Sequence, residues 1–200
     1  YDELDRPTAV AVKSGATTIS TATTSYDGLT ATATPASNGT NGPALYPTAT
    51  TKDLYGRTVK STIKRGTPSD IVTSYTYDVS GNLKTITSPK GAVTTYTYDW
   101  AGRATQTVDP DAGTSTATYF PGGQVSYAKD GAGKEIWTDL DLLGRPTVTW
   151  TGPSTAKVKT VQNTYDTALK GTLASATRWD GANAFTEATT YDTRYRAASV

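Results

Sequence analysis

Two stretches of sequence decide the fold: Tyr77-Asp78-Val79-Ser80-Gly81-Asn82 and Tyr98-Asp99-Trp100-Ala101-Gly102-Arg103. In both, Asp is suited to begin a turn, because its carboxylate accepts hydrogen bonds from backbone N–H groups two residues later. The Gly three residues after the Asp can adopt a positive φ, which a type I turn followed by a left-handed residue requires in a hairpin loop. Each stretch therefore predicts the turn of a β-hairpin.

The same motif recurs along the chain, with Asp-equivalent positions 21, 25 or 26 residues apart. A second turn falls midway between copies, so each interval predicts two strands of about six residues, close to the usual strand length. The pattern therefore predicts about eight hairpin repeats. The further copies are Lys52-Asp53-Leu54-Tyr55-Gly56-Arg57, Leu140-Asp141-Leu142-Leu143-Gly144-Arg145, Tyr1-Asp2 with Arg6, Tyr26-Asp27, Tyr119-Phe120-Pro121-Gly122-Gly123-Gln124, Tyr165-Asp166, and Tyr191-Asp192 with Arg196.

Composition also favours an all-β chain. The 200 residues include 42 Thr and 13 Tyr, and both residue types suit a pleated, half-buried surface. Leu, Ile, Val and Phe together number only 29, and 18 Gly and 10 Pro supply turns. We expect an array of antiparallel β-hairpins of 21–26 residues, and because a sheet of this width twists, we expect it to curve and spiral.

The repeats predict a single array over residues 1–200. Residues 31–50 interrupt the rhythm, because Pro35, Pro43 and Pro47 lie there with two Asn-Gly pairs, and we expect an irregular, loop-like insertion. The sequence opens inside a copy of the motif, which predicts that it is part of a longer chain. It contains no run of about 18 apolar residues that would predict a membrane span.

Composition excludes several classes of chemistry. Without His or Cys, the chain cannot form a Ser-His-Asp or Cys-His catalytic site, or a zinc site with thiolate or imidazole ligands. The carboxylate pairs Asp109/Asp111 and Asp139/Asp141 are explained by turns, so we expect no enzyme, no metal and no cofactor. A net charge of +1 does not favour nucleic-acid binding.

Two further sets of residues invite a functional interpretation. Arg57, Arg103 and Arg145 follow the turn Gly, and their recurrence predicts a repeated contact with an Asp or Tyr of the neighbouring hairpin. The four Trp and 13 Tyr could stack on sugars, although in a Thr-rich sheet they more often supply buried apolar area. Exposed aromatics therefore leave open an alternative function as a surface adhesion or carbohydrate-binding module.

The Tyr-Asp-x-x-Gly-Arg copies, in residue type, offset and period together, resemble the YD-repeat family, also called rearrangement hotspot (Rhs) proteins. The resemblance covers nearly all of the chain. In that family the repeats form a spiralling β-sheet that closes into a hollow shell. Bacterial members include polymorphic toxins and shell-forming subunits of insecticidal toxin complexes.

The resemblance implies a non-catalytic shell segment of a secreted or surface-located bacterial protein. Its partners would be neighbouring YD repeats and an enclosed C-terminal toxin domain, with glycans as the alternative partner. Family members release that domain by self-cleavage near a core motif, but the Asp109-Pro110 pair of this chain lies mid-array and is interpreted as a turn. We therefore assign no cleavage activity to these residues.

Overall fold

The computed structural model describes residues 1–14, 16–36 and 45–199. The chain divides into two compact units, Tyr1–Tyr96 and Thr97–Val200, which are described separately. Of the predicted insertion at 31–50, residues 37–44 lie outside the described residues. Its two ends belong to adjacent strands, since Thr30–Thr34 pairs with Thr48–Lys52.

The first unit is built of antiparallel hairpins whose strands pair in chain order. Thr, Tyr and β-branched residues dominate these strands, as expected for a pleated surface with neither face deeply buried. The strands are β1 Ala9–Ser14, β2 Thr17–Asp27, β3 Thr30–Thr34, β4 Thr48–Lys52, β5 Thr58–Ile63, β6 Ile71–Tyr77, β7 Leu83–Thr87 and β8 Val93–Tyr98, the last of which ends in the second unit.

The second unit repeats this plan. Strands β9 to β16 pair in chain order, and a separate two-stranded ladder joins β17 to β18. The strands are β9 Ala104–Asp109, β10 Gly113–Tyr119, β11 Val125–Lys129, β12 Glu135–Leu140, β13 Pro146–Thr151, β14 Val158–Tyr165, β15 Leu173–Asp180, β16 Asn183–Ala188, β17 Thr190–Tyr191 and β18 Ala197–Ser199.

Each hairpin has two different ends. The end that carries the Asp-x-x-Gly turn is called here the motif end, and the other is called the opposite end. Ladders are interrupted just before the turn at the motif end, for example between Thr76 and Tyr77 and between Thr118 and Tyr119. Such a bulge forms where a residue in the left-handed conformation lies beside the last strand pair. Gly102 has this conformation, with a φ of 76°, as the motif predicts for its Gly.

The sheets have almost no buried core. Among the described residues, Ala49 and Ala174 are the only buried hydrophobic residues, and no large side chain is fully buried. Stability must therefore come from many half-buried side chains and from links between neighbouring strands. Within the described part of the chain, no helix is long and apolar enough to cross a membrane.

Candidate functional site, the joint between hairpins

The turn at Asp99 shows how one motif is built. Asp99 Oδ1 accepts hydrogen bonds from the backbone N–H groups of Ala101 and Arg103, at 2.9 and 3.0 Å. Asp99 Oδ2 accepts a 2.7 Å bond from Arg103 Nε, and the Asp99 N–H donates to the Arg103 carbonyl at 2.9 Å. One carboxylate therefore holds both the turn backbone and the Arg side chain that follows it.

The same arrangement recurs in other copies of the motif. Where Asp and Arg are both present, the distance from Arg Nε to the carboxylate oxygen is 2.7 or 2.8 Å. The first and last copies hold Asp5 and Tyr195 where Gly stands elsewhere, and both adopt positive φ. The equivalent pairs are Asp2–Arg6, Asp53–Arg57, Asp141–Arg145 and Asp192–Arg196, and Asp78 makes the analogous contact with Asn82 Nδ2.

These hydrogen bonds favour the ionised carboxylates. The backbone N–H and then the side chain of Arg103 lower the pKa of Asp99, and Arg145 lowers the pKa of Asp141 in the same order of causes. For Asp78, the side chain of Asn82 is the main cause of a lowered pKa. The motif turns are therefore held by charged Asp side chains at neutral pH.

Four of these Arg residues also contact the Tyr of the next hairpin. The Arg57 guanidinium lies 4.6 Å from the ring centroid of Tyr77, and that of Arg103 lies 4.7 Å from Tyr119. The pairs Arg6–Tyr26 and Arg145–Tyr165 are separated by 4.0 and 4.3 Å. These distances are within the range of a cation–π interaction, so the Asp-bound Arg also contacts the adjacent repeat.

The Tyr hydroxyl completes the joint. Tyr77 donates to the carbonyl of Thr58 at 2.7 Å, and Tyr119 donates to that of Ala104 at 2.6 Å. Tyr26, Tyr165 and Tyr191 make equivalent bonds to Pro7, Pro146 and Leu173. We call this assembly of Asp, Arg and the next Tyr the hairpin joint.

The hairpin joint varies where the sequence varies. Phe120 occupies an Asp position, and its carbonyl accepts a bond from Arg103 Nη1 at 3.0 Å. Gln124 stands in place of Arg and donates to the carbonyl of Gly144 at 3.2 Å. Asp166 forms an ion pair with Arg145, in which Asp166 Oδ2 lies 2.5 Å from Arg145 Nη2. The hydrogen bond from Arg145, and next the one from the Gly171 N–H, lower the pKa of Asp166 to about 2.

The tips of the motif-end turns are apolar and exposed. In the first unit, Leu54, Tyr55 and Val79 expose 84–107% of their surface. In the second unit, Trp100 and Leu142 expose 97% and 106%. The opposite ends carry small, polar or charged residues at their described tips, such as Pro89-Lys90 and Gly131-Ala132. The two ends of the hairpins therefore differ in chemistry.

The Trp residues considered for sugar stacking lie in two environments. Trp100 is exposed at a turn tip, whereas Trp137, Trp150 and Trp179 are half-buried on the second unit. Lys157 Nζ lies 3.8 Å from the ring centroid of Trp137. Lys159 Nζ lies 5.4 Å from the ring centroid of Trp150 and 5.5 Å from that of Trp179. The lysines occupy ring faces that a sugar would need, which favours packing as the role of these three residues.

Part of the hairpin joint was predictable from the sequence. The Arg does contact the Tyr of the neighbouring hairpin, but it first binds the Asp of its own turn, and the Tyr hydroxyl bond was missed. A sequence signal for it existed. Arg6, Arg57 and Arg145 are each followed by Tyr 20 residues later, and Arg103 is followed by Tyr119 after 16. Asp109 accepts a hydrogen bond from the Asp111 N–H in its turn, whereas Asp139 lies within strand β12 and accepts one from Trp150 Nε1 on the neighbouring strand, so the turn interpretation of Asp139 was wrong.

Comparisons with known proteins agree with this geometry. A family model described as RHS Repeat matches residues 77–114. The solved structure of TcdB2-TccC3-TEV is similar over 98% of this chain, with a TM-score of 0.69 and 14% identity. A Photorhabdus luminescens Tc holotoxin pore with a mutated TccC3 covers the same share, with a TM-score of 0.68 and 15% identity. No curated protein matches the sequence.

The chain spans only 13% of the length of each of those two structures. At 14–15% identity, the likeness establishes the fold. The predicted fold class, an all-β array of antiparallel hairpins, is confirmed. The family model falls on the two cleanest copies of the motif, so residues 77–114 match the RHS repeat, and the predicted resemblance to the YD-repeat, or rearrangement hotspot, family is confirmed.

Proposed function

We propose that this chain is a non-catalytic wall segment of a shell that encloses a cargo or toxin domain in a secreted or surface-located bacterial protein. The observation that carries the proposal is the hairpin joint. Its contacts run from the motif-end turns to the next hairpin, so they stabilise a continuous array. The likeness in fold to toxin-complex structures supports the same role.

A wall of this kind must resist local opening without a hydrophobic core. A half-buried Tyr such as Tyr119 supplies apolar area, a hydroxyl bond of 2.6 Å and a ring face for Arg103 in one contact. Loss of one hairpin would therefore require breaking the joints on both of its sides. Containment is the mechanism, and the joints supply the mechanical continuity that it needs.

The exposed motif-end tips are the surface that we assign to neighbouring YD repeats of the complete protein. Val79 of the first unit, and Trp100 and Leu142 of the second, are almost fully exposed, and exposed apolar surface often marks a contact site. Covering one such side chain stabilises an assembly by about 1.5–3 kcal/mol. The polar opposite ends have no equivalent requirement for cover.

Protease protection in the complete protein tests the proposal. We expect the enclosed domain to resist a protease in the native protein and to be cut once the joints are weakened by Arg103→Ala with Tyr119→Ala. Lys90→Ala serves as a control, because it removes an exposed side chain at an opposite-end tip, outside the joint. Equal cleavage of the domain in the native protein and in the joint variant would contradict the shell function.

A further inference from the structure

One junction between hairpins in the first unit lacks both members of the Arg–Tyr pair. The β2–β3 turn is a two-residue turn, since Asp27 pairs directly with Thr30 around Gly28 and Leu29. Lys52 stands where other repeats have Tyr. The Lys52 backbone N–H donates to the Leu29 carbonyl at 2.9 Å, which brings these two positions side by side.

A cavity of about 370 Å³ lies at this junction. Tyr26, Leu29 and Leu54 form apolar parts of its wall, and Lys52, Arg6 and Asp53 form polar parts. Its volume lies in the range of small-molecule sites, which combine a mainly apolar lining with a few polar groups. At the junction where Gln124 replaces Arg, by contrast, the Gln124 side chain donates a hydrogen bond to the Gly144 carbonyl of the next hairpin.

The charges of the cavity do not balance. Arg6 is paired with Asp2 at 2.7 Å, and Asp53 is paired with Arg57 at 2.7 Å. Within residues 1–14, 16–36 and 45–199, no carboxylate lies within ion-pair distance of Lys52. The cavity therefore presents an ammonium group without a counter-charge beside exposed apolar side chains.

We infer that this cavity binds an apolar carboxylic acid, with the carboxylate on the Lys52 ammonium and the apolar body between Leu29 and Leu54. Charge complementarity selects the carboxylate, and the two Leu side chains, 50% and 89% exposed, gain cover from the apolar body. The carboxyl terminus of a polypeptide that ends in an apolar residue and a free aryl-alkyl acid share this chemistry. The inference does not depend on the shell function.

Titration of the 200-residue protein with three probes, followed by NMR, tests the inference. N-acetyl-L-phenylalanine represents a polypeptide carboxyl terminus, 3-phenylpropionate represents a free acid, and N-acetyl-L-phenylalaninamide is the neutral counterpart. We expect the acids to shift the Ala31, Leu29 and Leu54 methyl signals with a Kd in the millimolar range. The amide should bind about threefold to fivefold more weakly, as expected for the loss of one exposed ion pair.

Variants then assign the contacts. Lys52→Gln should reduce acid binding to the level of the amide, and Lys52→Arg should preserve the preference for the acid. Lys60→Gln, an exposed Lys outside the cavity, should change nothing. Leu29→Ser should weaken all probes alike.

The relative affinities of the two acids then identify the source of the ligand. Tighter binding of N-acetyl-L-phenylalanine assigns the cavity to a polypeptide carboxyl terminus, and tighter binding of 3-phenylpropionate assigns it to a free acid. Equal binding of acid and amide, shifts that do not saturate, or an equal effect of Lys60→Gln would overturn the inference.

Discussion

The two ends of the hairpins in the second unit are joined in different ways. At the motif end, Arg103 and Tyr119 link neighbouring repeats through side chains. At the opposite end, the turns of neighbouring hairpins touch through backbone, since a Cβ added at Gly113 would lie 3.1 Å from the Gly131 carbonyl oxygen. The motif end tolerates sequence variation, because one contacting side chain can replace another. The opposite end requires Gly at the contact, because a side chain there would meet the backbone of the neighbouring turn.

The largest expected effect comes from filling the contact at the opposite end. A Cβ at Gly131 would overlap the Ala112 carbonyl oxygen, so Gly131→Ala requires the backbone to move. We expect a loss of about 2–3 kcal/mol in the free energy of unfolding, measured by urea denaturation. Ala132→Ser, in the same turn and exposed, should change it by less than about 0.5 kcal/mol. Similar losses for both variants would contradict the close backbone approach.

The next effect tests the motif end. Tyr77→Ala removes a half-buried ring, its cation–π contact with Arg57 and its 2.7 Å bond to Thr58, and should cost about 2 kcal/mol. Tyr77→Phe keeps the ring and removes only the hydroxyl bond, so about 1 kcal/mol is expected. Urea midpoints separate the two values. If Tyr77→Phe cost as much as Tyr77→Ala, the ring would contribute nothing to the joint.

Much of this fold was predictable from the sequence, because turn chemistry is local. Asp99 and Gly102 predict the hairpin turn through their own backbone requirements, without knowledge of any distant residue. The backbone contact of Gly131 with Ala112 was not predictable, because it depends on how closely two neighbouring turns approach. The Tyr119 hydroxyl bond was also missed, since its acceptor is a carbonyl, which every residue has.

The turn conformation itself gives a third test. Gly102 has a φ of 76°, which a β-branched residue disfavours, so Gly102→Val should cost about 1–2 kcal/mol. Ala101→Val, at an exposed turn position without this requirement, should cost less. Equal shifts of the urea midpoint would show that the left-handed conformation at Gly102 does not limit the choice of residue.

A smaller effect compares the Asp residues of the two ends. The Asp99 carboxylate accepts two backbone bonds and one Arg bond, whereas the Asp130 carboxylate accepts one bond from the described residues, from the Lys134 N–H. Asp99→Asn should lower the melting temperature by more than Asp130→Asn, because three hydrogen bonds to the carboxylate are weakened rather than one. Thermal unfolding of both variants at neutral pH measures the difference. A larger loss at Asp130 would reverse the proposed ranking of the two ends.

The smallest effect is a dependence on pH at the Arg145–Asp166 contact. Arg145 and the Gly171 N–H lower the pKa of Asp166 from 3.8 to about 2 in the folded chain. A carboxyl group with a lowered folded-state pKa contributes its stability above the unfolded-state pKa, and this contribution is lost as the pH falls through the folded-state value. The urea midpoint of the native protein should therefore exceed that of Asp166→Asn at pH 6, and the two should converge between about pH 4 and 2.

Because 41% of the Asp166 side chain is exposed, 1 M NaCl should also narrow the difference between the two urea midpoints at pH 6. A difference that is constant from pH 6 to pH 2 would show that the ion pair does not stabilise this joint.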